Sequence, residues 1–311
     1  MKLRILPRLS PQWAPYVFLM PFVVLFAVFG IFPLLFSFYL AFQSWEPTSG
    51  ITAMNFVGLE NFAFALQDEW FWKAVGNTLW LAVATGIPQH VVAIPLAYFL
   101  QNAYKRYRNA VAGIFFLPYI TSTVAIAMMF GTLFSTDYGV INLGIGLLRH
   151  VPVLNSLVPA ENIDWLSHAE NIKPALSIVV FWRYLGFNVV LYLAALQTIP
   201  QDIYEAATMD GAGSWQKFWF ITIPSIKPMI FFCVILSVVG GLQLFEEPFI
   251  LTGGRGGTDQ AGMTAAMYMY RTAFEFNDLG TASALSWLLF VFVVLLTLAT
   301  NWAFKDRHAK K

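Results

Sequence analysis

Six stretches of this chain are apolar for long enough to cross a ~30 Å hydrocarbon core as helices. They lie near residues 14–42, 74–100, 111–134, 173–197, 228–251 and 280–304. In a bilayer, backbone polar groups must find partners within the protein, which leaves helices as the default for such runs. Composition agrees: 58% of the 311 residues are hydrophobic and 11% are charged, against about 25% charged in soluble domains. The expected fold is an all-α membrane protein with six transmembrane helices. The first run follows Lys2, Arg4 and Arg8, but it outlasts the apolar core of a cleaved signal and shows no small-residue cleavage pattern. It reads as a span.

Basic residues orient the bundle. Lys2, Arg4, Arg8, Lys105, Arg106, Arg108, Lys217, Lys227, Lys305, Arg307, Lys310 and Lys311 all fall on one side if the runs alternate. The opposite loops carry Glu46, Glu60, Asp68, Glu69, Asp137, Glu161, Asp164 and Glu170. Positive charge favours the inner side, so both termini are expected in the cytoplasm, together with the stretch Pro200–Pro228. That stretch reads as two short amphipathic helices. Pro200 and Asp202 suit a first turn, and Ile203, Ala206 and Ala207 make one narrow face. Gly211 and Gly213 end the first helix, Ser214 is placed to cap the second, and Trp215, Phe218 and Trp219 share one side of it. Pro224 and Pro228 are expected to break the backbone before the fifth run.

The first run holds Pro21, Gly30 and Pro33 and should kink. In the second, His90 reads as hydrogen-bonded to a neighbouring helix, because no other ligand type stands at metal-binding spacing. In the third, Pro118 is expected to break the helix before Tyr119, Thr121, Ser122 and Thr123. The hydroxyls either satisfy the freed backbone or line a substrate-facing kink. Arg183, in the fourth run, needs a partner or water, since arginine in lipid costs ~3 kcal/mol or more. It pairs with Glu246 or Glu247, or it contacts substrate beside Tyr184, Phe187 and Asn188. Ser237, Gly240 and Gly241 in the fifth run either admit another helix or leave room for a ligand. The glycines at 253–257 lack the Gly-Lys-Ser or Gly-Lys-Thr of a phosphate loop and read as a tight turn. Residues 135–172 form a long outer loop with room for an interfacial helix.

The segment EAATMDGAGSWQKFWFITIP resembles the EAA loop of binding-protein-dependent permeases, the membrane subunits of ATP-binding-cassette (ABC) importers. Glu205, Ala206, Ala207, Asp210, Gly211, Ala212, Phe218 and Pro224 stand where that motif has them, with Ile223 where leucine is commoner. The string FVGLENF before the second run is similar to the carbohydrate branch. The resemblance implies the type I importer permease fold in a bacterial cytoplasmic membrane. It divides the chain into 1–73 (tail, first helix, outer loop), a five-helix core at 74–304 holding the coupling loop 200–228, and a basic tail at 305–311.

It further implies that the loop docks on an ATPase, and that Tyr119 and Thr123 face a sugar with Ser237, Gly240, Gly241 and Leu244. Family members use asparagines and a phenylalanine in the fifth span, so a different solute, or contact mainly from a partner, is expected. The implied partners are a second related permease, two ATPase subunits that hydrolyse ATP with magnesium, and an extracytoplasmic solute-binding protein. The implied solute is a carbohydrate; oligosaccharide, monosaccharide and glycerol-phosphate-like solutes stay open, and Arg183 keeps a charged one in play. No catalytic residue, metal, resident cofactor or nucleic acid is expected. The competing function is a stand-alone ion-coupled carrier, for which Glu246 and Glu247 would be the only intramembrane acids; Trp182 and Gln243 are further groups able to meet a sugar.

Overall fold

In the computed structural model of the chain, residues 10, 12–103, 106–151, 153, 155, 156 and 158–304 are described. Eight of the orienting cations (Lys2, Arg4, Arg8, Lys105, Lys305, Arg307, Lys310 and Lys311) and the tail 305–311 lie outside the described residues.

Two compact units emerge. One combines the chain up to Gln67 with Met269–Leu288; the other combines Asp68–Tyr268 with the chain from Leu289 onward. In the first, helix α1 (Ala14–Leu40) passes through Pro21 and contains a π-helical turn, Ala27–Ile31. Pro33 has no amide to donate, and the wider turn lets the Phe32 amide reach Ala27 O instead. The expected kink is therefore a π turn within a continuous helix. A short ribbon follows, β1 (Gln43–Ser44) antiparallel to β2 (Asn55–Phe56). Asn61, in α2 (Glu60–Gln67), pins it by donating to Ala41 O and Gln43 O at 3.0 and 2.8 Å.

The second unit is built on α3 (Glu69–Ala103), started by Asp68, whose carboxylate accepts the Trp70 amide at 2.9 Å. Helices α4 (Arg108–Ile120) and α5 (Thr123–Leu133) form the third run and meet at 92°. The break lies at Thr121–Ser122, not at Pro118, which sits inside α4. Thr121 turns extended (ψ 147°), and its hydroxyl donates to Leu117 O at 2.8 Å. After α6 (Val140–Leu148), the helix α7 (Ala169–Leu196) packs against α3 and α4. Its core face, Val189, Tyr192, Leu193 and Leu196, meets the small residues Ala93, Ala97 and Ala112.

The fifth run also breaks. Helix α8 (Gln201–Met209) and α9 (Ser214–Lys217), which continues through a π turn to Ser225, precede α10 (Lys227–Leu242). Residues 243–245 interrupt the run before α11 (Glu246–Leu251). Gly240 and Gly241 weaken the helix there, and Pro248 lacks the amide that would carry it on. The chain closes with α12 (Ala265–Phe274) and the uninterrupted α13 (Leu279–Phe304). Among the described residues, five helices are long and apolar enough to span, or six if α4 and α5 make one broken span. Between α11 and α12, Gly253, Gly254, Gly256 and Gly257 all have positive φ, the tight turn that the sequence indicated.

Candidate solute cavity and coupling loop

A cavity of about 220 Å³ lies among α3, α4, α7 and α10. Two glycines set its walls. A Cβ on Gly186 would collide with Phe115 O, so α4 and α7 touch backbone to backbone. That approach stacks Tyr119 on Phe187 (centroids 4.6 Å, 25°) and sets Tyr184 edge-on to Tyr119 at 5.8 Å. A Cβ on Gly241 would stand 2.9 Å from Ala82 Cβ, whereas Gly240 faces open space. The two readings of this pair are thus divided between neighbours: Gly241 admits α3, and Gly240 leaves room.

Tyr119, Tyr184, Phe187, Asn188, Ser237, Gly240, Gly241 and Leu244 line the cavity, all of them singled out from sequence. Thr85, Gly86 and Gln89 of α3 join them, with Val180 and Leu236. The α3 contribution was missed, although Thr85 and Gln89, four apart on a helix, share a face. Gln89 Nε2 donates to Val180 O at 3.3 Å, and Asn188 Nδ2 donates to Gln89 Oε1 at 3.3 Å. The cavity therefore combines aromatic faces with fixed amides and hydroxyls, the chemistry of a polyhydroxylated ligand. Trp182 and Gln243 are not in its wall; Trp182 packs edge-on to Phe130 at 5.3 Å instead.

Arg183 and Thr123 stand beside the cavity rather than in it. Arg183 Nη1 donates to Glu247 Oε1 at 2.5 Å and lies 4.0 Å from Glu246. Glu247 is 2% exposed and Arg183 11%, while Glu246 is 62% exposed. Arg183 Nε is buried and has no partner among the described residues. Thr123 donates its hydroxyl to Glu246 rather than facing the cavity, tying the start of α5 to the start of α11. His90, as expected, bonds a neighbouring helix, with Nδ1 2.8 Å from the Tyr192 hydroxyl. Among the described residues, no cluster of His, Cys, Asp and Glu could hold a metal.

The 200–228 stretch is built largely as the sequence indicated. The Ala212 amide donates to Ala207 O at 2.9 Å and the Gly211 amide to Thr208 O at 3.0 Å, a Schellman closure with Gly211 at φ +82°. Gly213, not Ser214, is the cap of α9. Its amide donates to Gln216 Oε1 at 2.8 Å, and Ser214 is already the first helical residue. The three aromatics do share one side, with Trp215 6.1 Å from Phe218 and 5.7 Å from Trp219, but they are not equally covered. Phe218 is buried against Tyr98 (5.1 Å), while Trp215 is 72% exposed and Trp219 is exposed. The Tyr98 hydroxyl donates to Ser214 O at 3.3 Å, anchoring the loop to α3. Pro224 sits in the helical continuation of α9 and Pro228 in the first turn of α10; the break falls between them, at Ile226. Glu205, Ala206, Asp210 and Met209 are exposed, so α8 presents an uncovered face.

Residues 93–305 match the sequence family described as the binding-protein-dependent transport system inner membrane component. The chain is 34% identical to the lactose transport system permease protein LacF of Rhizobium radiobacter, over 94% of each chain. It is 30% identical to the arabinooligosaccharides transport system permease protein AraP of Bacillus subtilis, over 93% of this chain and 88% of that one. Its fold is similar to a subunit of a bacterial ABC transporter that imports the acidic polysaccharide alginate. There the TM-score is 0.78 and the identity 26%, covering 96% of this chain and 97% of the other. A chain from a bacterial alginate ABC transporter in complex with an alginate pentasaccharide-bound periplasmic protein matches with a TM-score of 0.76 at 27% identity, over 93% of each chain.

Proposed function

This chain belongs to the binding-protein-dependent transport system inner membrane components, and from that premise we propose that it forms half of a carbohydrate pathway in an ABC importer. It is a multi-pass protein of the cytoplasmic membrane and a transport subunit rather than an enzyme. The observation that carries the carbohydrate reading is the cavity, where stacked Tyr119 and Phe187 face the amides of Gln89 and Asn188 and the hydroxyls of Thr85, Tyr184 and Ser237. The sugar-permease relatives support it.

In this reading α4 and α5 together make the third of six spans, and both termini and the 200–228 loop are cytoplasmic. Residues 74–304 are the permease core, residues 1–73 add the first span and outer loop, and 305–311 is an inner tail. A second permease completes the pathway, an extracytoplasmic protein delivers the sugar, and two ATPase subunits hydrolyse ATP with magnesium. Glu205, Ala206, Ala207, Asp210, Gly211, Ala212, Phe218 and Pro224 form or support the surface that meets the ATPase. When ATP closes the ATPase pair, α8 and α9 are carried with it, and the Tyr98–Ser214 and Tyr98–Phe218 contacts pass the movement to α3. Tyr119, Tyr184, Phe187, Asn188, Ser237, Gly240, Gly241 and Leu244 meet the sugar, with Arg183 and Thr123 holding the wall behind them.

Purification from membranes in mild detergent tests the assembly. The chain should bring down a nucleotide-binding subunit and a second permease, and Gly211→Pro should release the ATPase, because proline cannot adopt the positive φ or donate to Thr208 O. A chain that purifies without any ATPase would overturn the reading.

A further inference from the structure

Arg183 left the charge of the solute open at the level of sequence. The geometry closes that question. Its guanidinium is held by Glu247 at 2.5 Å, Arg183 is not part of the cavity wall, and its Nε is buried. No lysine, arginine or histidine is among the described residues that line the cavity. Lys73 and Lys173 line a different pocket, where Glu170 and Asp259 accompany them. One arginine therefore faces two carboxylates, and Glu246, the exposed one, is the surplus. Glu246 is not itself in the cavity wall, but it is tied to chain neighbours of wall residues. It follows cavity-lining Leu244 by two residues on the chain, it accepts the hydroxyl of Thr123, four residues beyond cavity-lining Tyr119, and it lies 4.0 Å from Arg183, the neighbour of cavity-lining Tyr184.

We propose that Glu246 is a specificity-determining residue: with Arg183 neutralised by Glu247, its unbalanced carboxylate holds the cavity negative and selects uncharged carbohydrates over anionic ones. The inference rests on the carbohydrate-importer reading and sharpens it. A single charge beside a protein-walled cavity acts through a lower effective dielectric than bulk water, even where it is itself 62% exposed, so an anion is disfavoured where a neutral solute is not. This sets the chain apart from the alginate importer whose fold it shares, which carries an acidic polysaccharide. Thr123 and Arg183 act as positioning residues, since they fix the Glu246 carboxylate at the meeting of two broken helices.

The test measures the potential in the cavity of the assembled importer. Ser237→Cys places a thiol in the wall, and the chain's own cysteine, Cys233, is buried. Labelling rates are compared for trimethylammonioethyl and sulfonatoethyl methanethiosulfonate, each normalised to its rate with a free thiol. The cationic reagent should be favoured roughly tenfold. Glu246→Gln, which keeps an acceptor for Thr123, should bring the ratio close to one, and Glu246→Asp should restore it. If Ser237→Cys fails to assemble, Leu236→Cys reports on the same wall. Equal rates, or a preference for the anionic reagent, would overturn the proposal, as would a ratio that Glu246→Gln leaves unchanged. Protection of the thiol by a neutral sugar checks the underlying reading separately. Charge preference without sugar protection would keep Glu246 as a charge filter and remove the carbohydrate; sugar protection without charge preference would do the reverse.

Discussion

At the scale of single residues, Arg183 shows how burial decides a role. The side chain is 11% exposed, and Glu247, which accepts from it, is 2% exposed. Removing one partner of such a pair leaves an uncompensated charge, at a cost of about 3–5 kcal/mol in protein interiors. Arg183→Ala should therefore lower the amount of folded protein in the membrane severalfold, and the double change Arg183→Met with Glu247→Leu should recover much of it. Fluorescence-detected size exclusion of the two variants checks this; an abundant, monodisperse Arg183→Ala protein with altered solute preference would contradict it. The sequence called for a counterpart to Arg183, because an arginine within an apolar run must find one, and offered both glutamates. It could not choose between Glu246 and Glu247, adjacent on the chain. The break at 243–245 makes the choice by turning one inward and leaving the other exposed.

At the scale of elements, two glycines and two breaks build the cavity wall. Gly186→Ala would force α7 off the Phe115 carbonyl, and separation of Tyr119 from Phe187 should follow. We expect at least a tenfold loss of sugar-stimulated transport, with the ATPase subunits still bound; unchanged transport would contradict the packing account. The spans themselves were legible, since runs of apolar residues define them, and α13 begins within a residue of its expected start. The breaks were less so. Pro118 looked like the breaking point, yet proline removes one bond and constrains the residue before it, and the helix runs on to Ile120 before turning. The interruption of the fifth run left only paired glycines and Pro248 as its trace. Gly211 was readable because a left-handed helix exit has a strong residue preference; Gly213 as a cap was not, because serine is the commoner choice and stood next to it.

At the scale of the molecule, α3 joins a loop with an uncovered face to a cavity. Tyr98 meets the loop and Thr85 and Gln89 meet the cavity, all on one helix. Family membership and the permease role were legible from a motif of fixed spacing, whereas α3's share of the cavity was not, because Thr85 and Gln89 read as ordinary polar residues of a membrane helix until α7 packs against them. In the proposed function, ATP hydrolysed by partner subunits drives sugar past Tyr119 and Asn188. The most direct measurement is uptake of labelled sugar by proteoliposomes holding the assembled importer and its binding protein. The account predicts accumulation that needs ATP and magnesium, persists without any proton or sodium gradient, and falls at least tenfold in Tyr119→Ala while ATP hydrolysis continues. Uptake driven by an ion gradient without ATP, and abolished by Glu246→Gln, would contradict it and make the chain an ion-coupled carrier.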